Sequence, residues 1–323
     1  MRAPRPLGRS PIHVSAIGLG CWQFSEGAGL AGRYWPALSV ETETAIVAAS
    51  LAGGVTWFDT AEMYGGGRSE AALARALLAC GQTPGDVVVA TKWWPALRTA
   101  ASIGTTVHER LARLAPFGID LHQVHQPIAF ATVAAQMRAM ADLVDAGTVR
   151  TVGVSNFSAR RMRAAHRALA QRGIALVSNQ VRFSLLCRRP ETNGVLAAAQ
   201  DLGVTIIAYS PLAQGILSGK LHEDPGLIRA RTGPRKWLPD FRRAGLGRSR
   251  PLVDALRAIA TAHAATPSQV ALSWLVSFFG GTVVAIPGAT SVAQARENAG
   301  AMGVALDAAD LARLDLLSRG FRR

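Results

Sequence analysis

Lysine is almost missing from this 323-residue chain: of 35 basic residues only Lys92, Lys220 and Lys236 are lysines, and the others are arginines. Acidic residues are also scarce, 21 in all, so the formal charge is +14. A balance that basic ordinarily points to nucleic acid or an anionic surface. Here the arginines are spread over many segments, with no long run of like charge and no aromatic residues interleaved with a basic stretch. The charge reads as a compositional habit, and neither nucleic acid nor a membrane is expected as a partner. Cysteine is scarce too: Cys21, Cys80 and Cys187 are odd in number, far apart and without a CxxC pair. That excludes a disulfide framework and a structural zinc site, and no metal is expected. No segment approaches the about 18 uninterrupted apolar residues of a membrane span. The basic N-terminus "MRAPRPLGRSPIHVS" lacks the apolar core of a signal peptide, so a soluble, cytoplasmic protein is expected.

What the chain does have is apolar bulk, 49% of its residues, enough for a large core. Short β-rich runs alternate with longer alanine-rich segments of helical periodicity. Eight runs read as strands: "SAIGLG", "VTWFD", "VVVATK", "IDLHQVH", "VRTVGVS", "ALVSNQ", "VTIIAYS" and "TVVAIPG". Helices are expected at 42–52, 69–79, 105–114, 132–145, 159–170, 193–202, 251–263, 267–278, 292–301 and 308–317. The helix at 267 opens with "TPSQ", a threonine cap followed by proline at the first position. Strands alternating with helices over this length predict a (β/α)8 TIM barrel rather than a doubly wound sheet, with an N-terminal β-hairpin turning at Arg9 to Pro11 and extra helices. "GLGCW" offers two glycines but no GxGxxG, so a Rossmann unit is not indicated. No domain boundary is evident, and residues 1–323 are expected to form one domain. The Pro/Gly/Arg-rich stretch 212–250 reads as a long loop, a length that usually marks function.

In such a barrel, polar residues at strand C-terminal ends face the active site. The second strand ends in Asp59 and delivers Tyr64 in "WFDTAEMYGGGRSE"; the third ends in Lys92 and the fourth in His125. A tyrosine with a pKa of about 10 is a poor acid at neutral pH. A neighbouring lysine stabilises the phenolate and draws that pKa down, a carboxylate holds the lysine charged, and a histidine orients a carbonyl oxygen. The set suits protonation of a carbonyl oxygen as hydride reaches carbon. Each residue alone has a bland reading, as a turn cap, loop packing or a hydrogen-bonded core histidine. It is the joint placement, including one of the rare lysines directly after "VVVAT", that carries the chemical reading.

The motifs "FDTAEMYGGGRSE", "TK", "VHQP", "GVSNFS", "AYSPLAQGILSGK" and "IPGATSVAQARENAGA", in that order, resemble the aldo-keto reductase superfamily across almost the whole chain. The resemblance implies a TIM barrel that uses NADPH, or NADH, without a Rossmann domain, and a catalytic tetrad of Asp59, Tyr64, Lys92 and His125. It implies that Ser155, Asn156 and Gln180 hold the nicotinamide carboxamide, that Tyr209 stacks on the ring, and that Ser210, Pro211, Leu212, Gln214 and Gly215 cover the pyrophosphate. Pro287, Gly288, Thr290, Gln294, Glu297 and Asn298 would surround the adenosine half, and Gly20, Cys21 and Trp22 join the cofactor site. Trp22, Tyr64, Trp93, His125 and Gln126 are the expected substrate contacts. Gln126 stands where related sequences often carry tryptophan, with Trp22, Trp93 and Trp94 as possible replacements for that wall. "IPGATS" lacks the basic residue many members place beside the 2′-phosphate, for which Arg296 could compensate. With little chain after the last helix, specificity would rest on the loop "CWQFSEGAGLAGRYWP" and on 212–250, whose Arg229, Arg231, Arg235, Lys236, Arg242, Arg243, Arg248 and Arg250 form a solvated basic loop or an anion-binding lid. The substrate would be a small carbonyl compound. A second reading is a redox-sensing interaction protein resembling the cytoplasmic β subunits of potassium channels.

Overall fold

The computed structural model describes residues 3–29, 34–229 and 237–322. A hairpin of β1 (Arg5–Pro6) and antiparallel β2 (His13–Val14) comes first. Eight parallel strands follow: β3 (Leu19–Gly20), β4 (Trp57–Asp59), β5 (Val88–Trp93), β6 (Leu121–Val124), β7 (Thr151–Ser155), β8 (Leu176–Arg182), β9 (Thr205–Tyr209) and β10 (Val283–Ala285). They pair in chain order, and bridges from Ile17 to Ala285 and Gly20 to Gly288 join first to last, closing a TIM barrel.

Period-two alternation sorts the side chains into two layers. Trp57, Ala90, Leu121, Ile207 and Val284 point inward, and Leu7, Ile12 and Val14 of the hairpin pack with them at the strand N-terminal end. The intervening residues, such as Phe58, Val89 and Val124, point outward against the helices in the larger apolar layer. Hydrogen bonds fasten the hairpin, from Gly8 N to Thr205 Oγ1 at 2.7 Å and from Arg5 to the carbonyls of Val276 and Val283. The strand C-terminal ends are thereby left free to form a site. Gly18 meets the indole of Trp57 so closely that a β-carbon there would lie 2.4 Å from the ring. Gly18→Ala should therefore cost about 1–3 kcal/mol through overpacking, read as a lower denaturation midpoint; an unchanged midpoint would show that the barrel interior can yield.

The expected helices form, most within a few residues of their expected ends, and Pro267–Phe278 carries the capping box of Thr266 and Gln269. Two differ more, and one gains a short neighbour. The helix expected at 105 starts at Ala101, and the one expected at 193–202 forms at Val195–Leu202 after the left-handed Gly194, with an additional short helix Arg189–Thr192 before it. The helix expected to open at Pro251 begins at Arg243 and runs to Ala262 with the proline inside it. Its extra turns are held by tertiary contacts: Gly245 fits where a β-carbon would lie 2.5 Å from Pro239 O, and Ser249 Oγ bonds His222 Nε2 at 3.0 Å. Burial here outweighs the helix-start signal of proline. The stretch 212–250 is accordingly no open loop where described, holding 3-10 turns at Ala213–Ser218 and Pro239–Phe241 and short helices at Lys220–Glu223 and Gly226–Arg229.

Candidate active site

Inward parity brings the four expected residues together. Asp59 ends β4, and Lys92 on the neighbouring β5 shares the inward face of Ala90. Lys92 Nζ donates to Asp59 Oδ1, to Thr60 O at 2.8 Å and to Tyr64 Oη at 3.4 Å, and lies 4.9 Å from the Tyr64 ring centroid. The other carboxylate oxygen accepts from Gln180 Nε2 at 2.9 Å and Gln123 Nε2 at 3.1 Å. Lys92 and Asp59 are fully buried, so the pair is ordered from every side. His125 follows β6, its backbone N–H bonded to Trp93 O at 3.0 Å. Its imidazole stands edge-on to Tyr64, with centroids 5.8 Å apart, and to Trp94 at 5.2 Å.

The electrostatics follow from depth. Burial pushes the Tyr64 phenol above its ordinary value, against the pull of the Lys92 cation. The sequence led us to expect a net lowering; desolvation of the phenolate wins, and lysine only moderates it. For Lys92, burial opposes the charge, but the Asp59 carboxylate and the phenol outweigh it and raise its pKa, so it stays protonated. Burial, and then the Lys92 cation, hold His125 well below its ordinary value, leaving a neutral imidazole whose Nδ1 is buried without a partner. The site thus offers an un-ionised phenol, a fixed cation behind it and a neutral imidazole beside it.

A cavity of about 770 Å³ opens on these groups at the strand C-terminal ends. Every residue expected at the cofactor lies in its wall, from Gly20, Cys21 and Trp22 through Ser155, Asn156, Gln180 and Tyr209 to Gly288, Thr290, Gln294, Glu297 and Asn298. Asn156, in a left-handed conformation with φ 61°, donates to His125 O and Ser155 Oγ, and its Oδ1 accepts from Tyr209 Oη at 3.1 Å. After β9 the backbone turns left-handed at Ser210, Ala213, Gln214 and Gly215. Non-glycine residues in this conformation cost roughly 1–3 kcal/mol each and concentrate at ligand sites. Gly20 allows a close backbone approach at the end of this wall, since a β-carbon there would lie 2.9 Å from Ile286 O, and Gly288 lies under the side-chain amide of Gln23. Thr290 N–H bonds Gln294 Oε1 at 2.8 Å at the opening of the helix Val292–Gly300. An elongated polar molecule with a planar amide at one end and anionic groups further along matches this sequence of donors, glycines and helix start.

Trp93 is a correction. It follows the inward Lys92 and so points outward, fully buried, with Nε1 donating to Ser102 Oγ at 3.1 Å. Of the two adjacent tryptophans it is Trp94 that lines the cavity, along with Gln126, Trp35 and Met63. The chain has three tyrosines, and all belong here: Tyr64 and Tyr209 line the cavity, and Tyr34 stacks on Trp22 at 5.2 Å. Arg296 lies in an adjoining groove, while Lys220 lines both groove and cavity. Of the basic loop, Arg250 bonds His222 O and Arg248 pairs with Asp240. Neither lines the cavity. Arg231, Arg235 and Lys236, and residues 30–33 of the first loop, lie outside the described residues. Gln123 escaped the sequence reading, although its parity with Leu121 and His125 marks it as inward. Glu62 escaped too: it accepts from the Trp94 N–H and from Arg98 and the fully buried Arg110, fixing the start of the loop that carries Trp94. The acidic position two residues before Tyr64 was the available signal.

Comparison with known proteins places this barrel in a class of oxidoreductases. The model of the aldo/keto reductase family matches residues 16–319, so the chain belongs to that family. An uncharacterised oxidoreductase of Mycobacterium tuberculosis is 42% identical over 313 residues, covering 96% of this chain and 91% of its own. The chloroplastic pyridoxal reductase of Arabidopsis thaliana is 33% identical, covering 91% of this chain and 80% of its own. A crystal structure of a thermostable aldo-keto reductase with the inhibitor epalrestat superposes with a TM-score of 0.78 at 30% identity, covering 98% of this chain and all of that one. No helix among the described residues is long and apolar enough to cross a membrane.

Proposed function

We propose that the protein reduces an aldehyde or ketone to the alcohol with NADPH. The observation that carries this is the Tyr64 hydroxyl, set 3.4 Å from the buried Lys92 ammonium in the wall of a cavity long enough to reach the Thr290 helix start. The nicotinamide, when bound, supplies the hydride. Ser155, Asn156 and Gln180, which line the cavity, would hold its carboxamide, and Tyr209 would lie against the ring. Tyr64 gives its proton to the carbonyl oxygen as negative charge develops there, and the Lys92 cation stabilises the phenolate left behind. Asp59, held by Gln123 and Gln180, keeps Lys92 charged and in place. His125, neutral, donates an N–H to the carbonyl oxygen and so fixes its direction. Lys220 in the cavity wall and Arg296 next to it are the cations that favour a 2′-phosphate, hence NADPH over NADH.

The substrate end is ring-lined. Trp22 stacks 5.9 Å from Tyr64, Trp35 meets Trp22 edge-on and Trp94 meets His125 edge-on. None of Trp22, Trp35, Met63, Tyr64, Trp94 and Gln126 carries a charge, which favours a flat, neutral carbonyl compound over an acidic one. Pyridoxal, named in the Arabidopsis relative, has those properties. We expect NADPH absorbance to fall with benzaldehyde and with pyridoxal, and kcat/KM to drop at least about tenfold for 4-carboxybenzaldehyde, whose buried charge would be unpaired. No NADPH oxidation with any carbonyl compound would end this reading.

The raised pKa of Tyr64 sets the pH dependence. A phenol donates only while protonated, so reduction should hold through neutrality and past the ordinary tyrosine value of about 10, then fall as pH rises through the raised pKa. A kcat profile declining between about pH 7 and 8 would assign the proton to another group.

A further inference from the structure

The loop after β5 carries Trp94 into the cavity wall, and one buried carboxylate outside that wall holds it. Glu62 grips the end of β5 at two points. Its backbone N–H bonds Lys92 O at 3.4 Å, and its Oε1 accepts from the Trp94 N–H and, further along the loop, from Arg98 Nη1 at 2.8 Å. The other oxygen accepts from Arg110, a fully buried guanidinium whose second arm donates to Thr106 Oγ1 at 2.9 Å on the helix Ala101–Leu114. The loop needs such an anchor, because Leu97 stands in the left-handed region at φ 59° with its side chain exposed, a costly conformation with no burial to offset it. Arg98 O in turn accepts from the Phe130 N–H at 3.0 Å, tying the loop to the one that follows β6.

Trp94 meets His125 edge-on and, with Gln126, lines the substrate end of the cavity. An aromatic wall favours an aromatic substrate only while it is held in the geometry of the contact, and a misplacement of about 1 Å can cost roughly a hundredfold in rate. The proton-transfer groups are anchored separately. His125 gives its N–H to Trp93 O and accepts from Asn156 at its carbonyl, and Tyr64 is placed by Lys92 and Trp22. Releasing the loop therefore displaces Trp94 and leaves those groups where they are. We propose that Glu62 is a positioning residue that sets the protein's preference for aromatic carbonyl compounds, acting through Trp94. Its carboxylate, neutralised by Arg98 and Arg110, fixes the Trp94 backbone and with it the ring against which the substrate lies. The inference rests on the proposed reduction of aromatic carbonyl compounds.

The test is the ratio of kcat/KM for benzaldehyde to that for propanal, which has no ring to meet Trp94, measured on the wild-type protein, Glu62→Gln, Trp94→Ala and the double variant. Glu62→Gln keeps the reach of the side chain but loses the charge that holds both arginines. The ratio should fall roughly tenfold, through a higher KM for benzaldehyde, while kcat for propanal and NADPH affinity stay close to those of the wild-type protein. Trp94→Ala should lower the ratio at least as far, and adding Glu62→Gln to it should lower it no further, as for residues that act through one contact. Thermal midpoints report folding. Because Glu62→Gln strands the buried Arg110 charge, a second variant, Arg98→Met, leaves Glu62 paired with Arg110; it should shift the ratio in the same direction, and it decides alone if Glu62→Gln does not fold. An unchanged ratio, an equal loss for both aldehydes, or an undiminished further loss in the Trp94→Ala background overturns the inference and leaves the reductase reading standing. A wild-type protein that reduces neither aldehyde overturns both.

Discussion

Replacing Tyr64 by phenylalanine is expected to lower carbonyl reduction by about 10²–10⁴-fold, the usual worth of a positioned general acid. The substitution removes one oxygen and little else. The ring remains to stack on Trp22 and to meet His125, and Lys92 keeps its bonds to Asp59 and to Thr60 O. NADPH affinity and thermal stability should stay close to those of the wild-type protein. The loss should therefore appear in kcat and not in cofactor binding, the pattern of an interaction made only as charge develops on the carbonyl oxygen. A variant that retains full turnover would move the proton donor elsewhere, with His125 the first alternative.

Lys92→Met should do damage of a second kind. Methionine fills much of the same volume but leaves the Asp59 carboxylate buried with only the Gln123 and Gln180 amides to face it. Breaking one side of a buried ion pair costs about 3–5 kcal/mol, so the denaturation midpoint should fall sharply along with activity. The double variant Asp59→Asn with Lys92→Met removes the stranded charge and should recover much of the stability. It should recover none of the activity, because nothing then stabilises a phenolate at Tyr64. Denaturant titration and turnover, measured on the same three proteins, separate the two roles. Equal stability of Lys92→Met and the wild-type protein would contradict the burial on which the electrostatics rest.

The barrel was legible in the sequence because its signal is distributed: eight apolar runs and the helices between them each repeat one pattern, and local error does not disturb the order. The four central residues were legible because Asp59 and Lys92 sit at the ends of their strands, His125 comes directly after one, and Tyr64 lies in the loop that follows Asp59. What escaped was decided by parity and by tertiary burial. Trp93 and Trp94 look equivalent as letters, yet Lys92 faces inward, so only Trp94 can reach the cavity. Gln123 obeys the same rule two residues before His125. The direction of the Tyr64 shift depends on depth, which composition does not report, and the helix running through Pro251 depends on contacts with Pro239 and His222. Glu62 and its two arginines meet from segments up to 48 residues apart, a distance over which no local motif speaks.

The most direct measurement follows the hydride itself. Benzaldehyde incubated with the protein and NADPH carrying deuterium at both C4 positions should yield benzyl alcohol with one deuterium at the carbinol carbon, read by mass spectrometry, and Tyr64→Phe should yield almost none in the same time. Alcohol without deuterium, or no alcohol from the wild-type protein with any carbonyl compound, would contradict direct transfer from a dinucleotide held beside Tyr64.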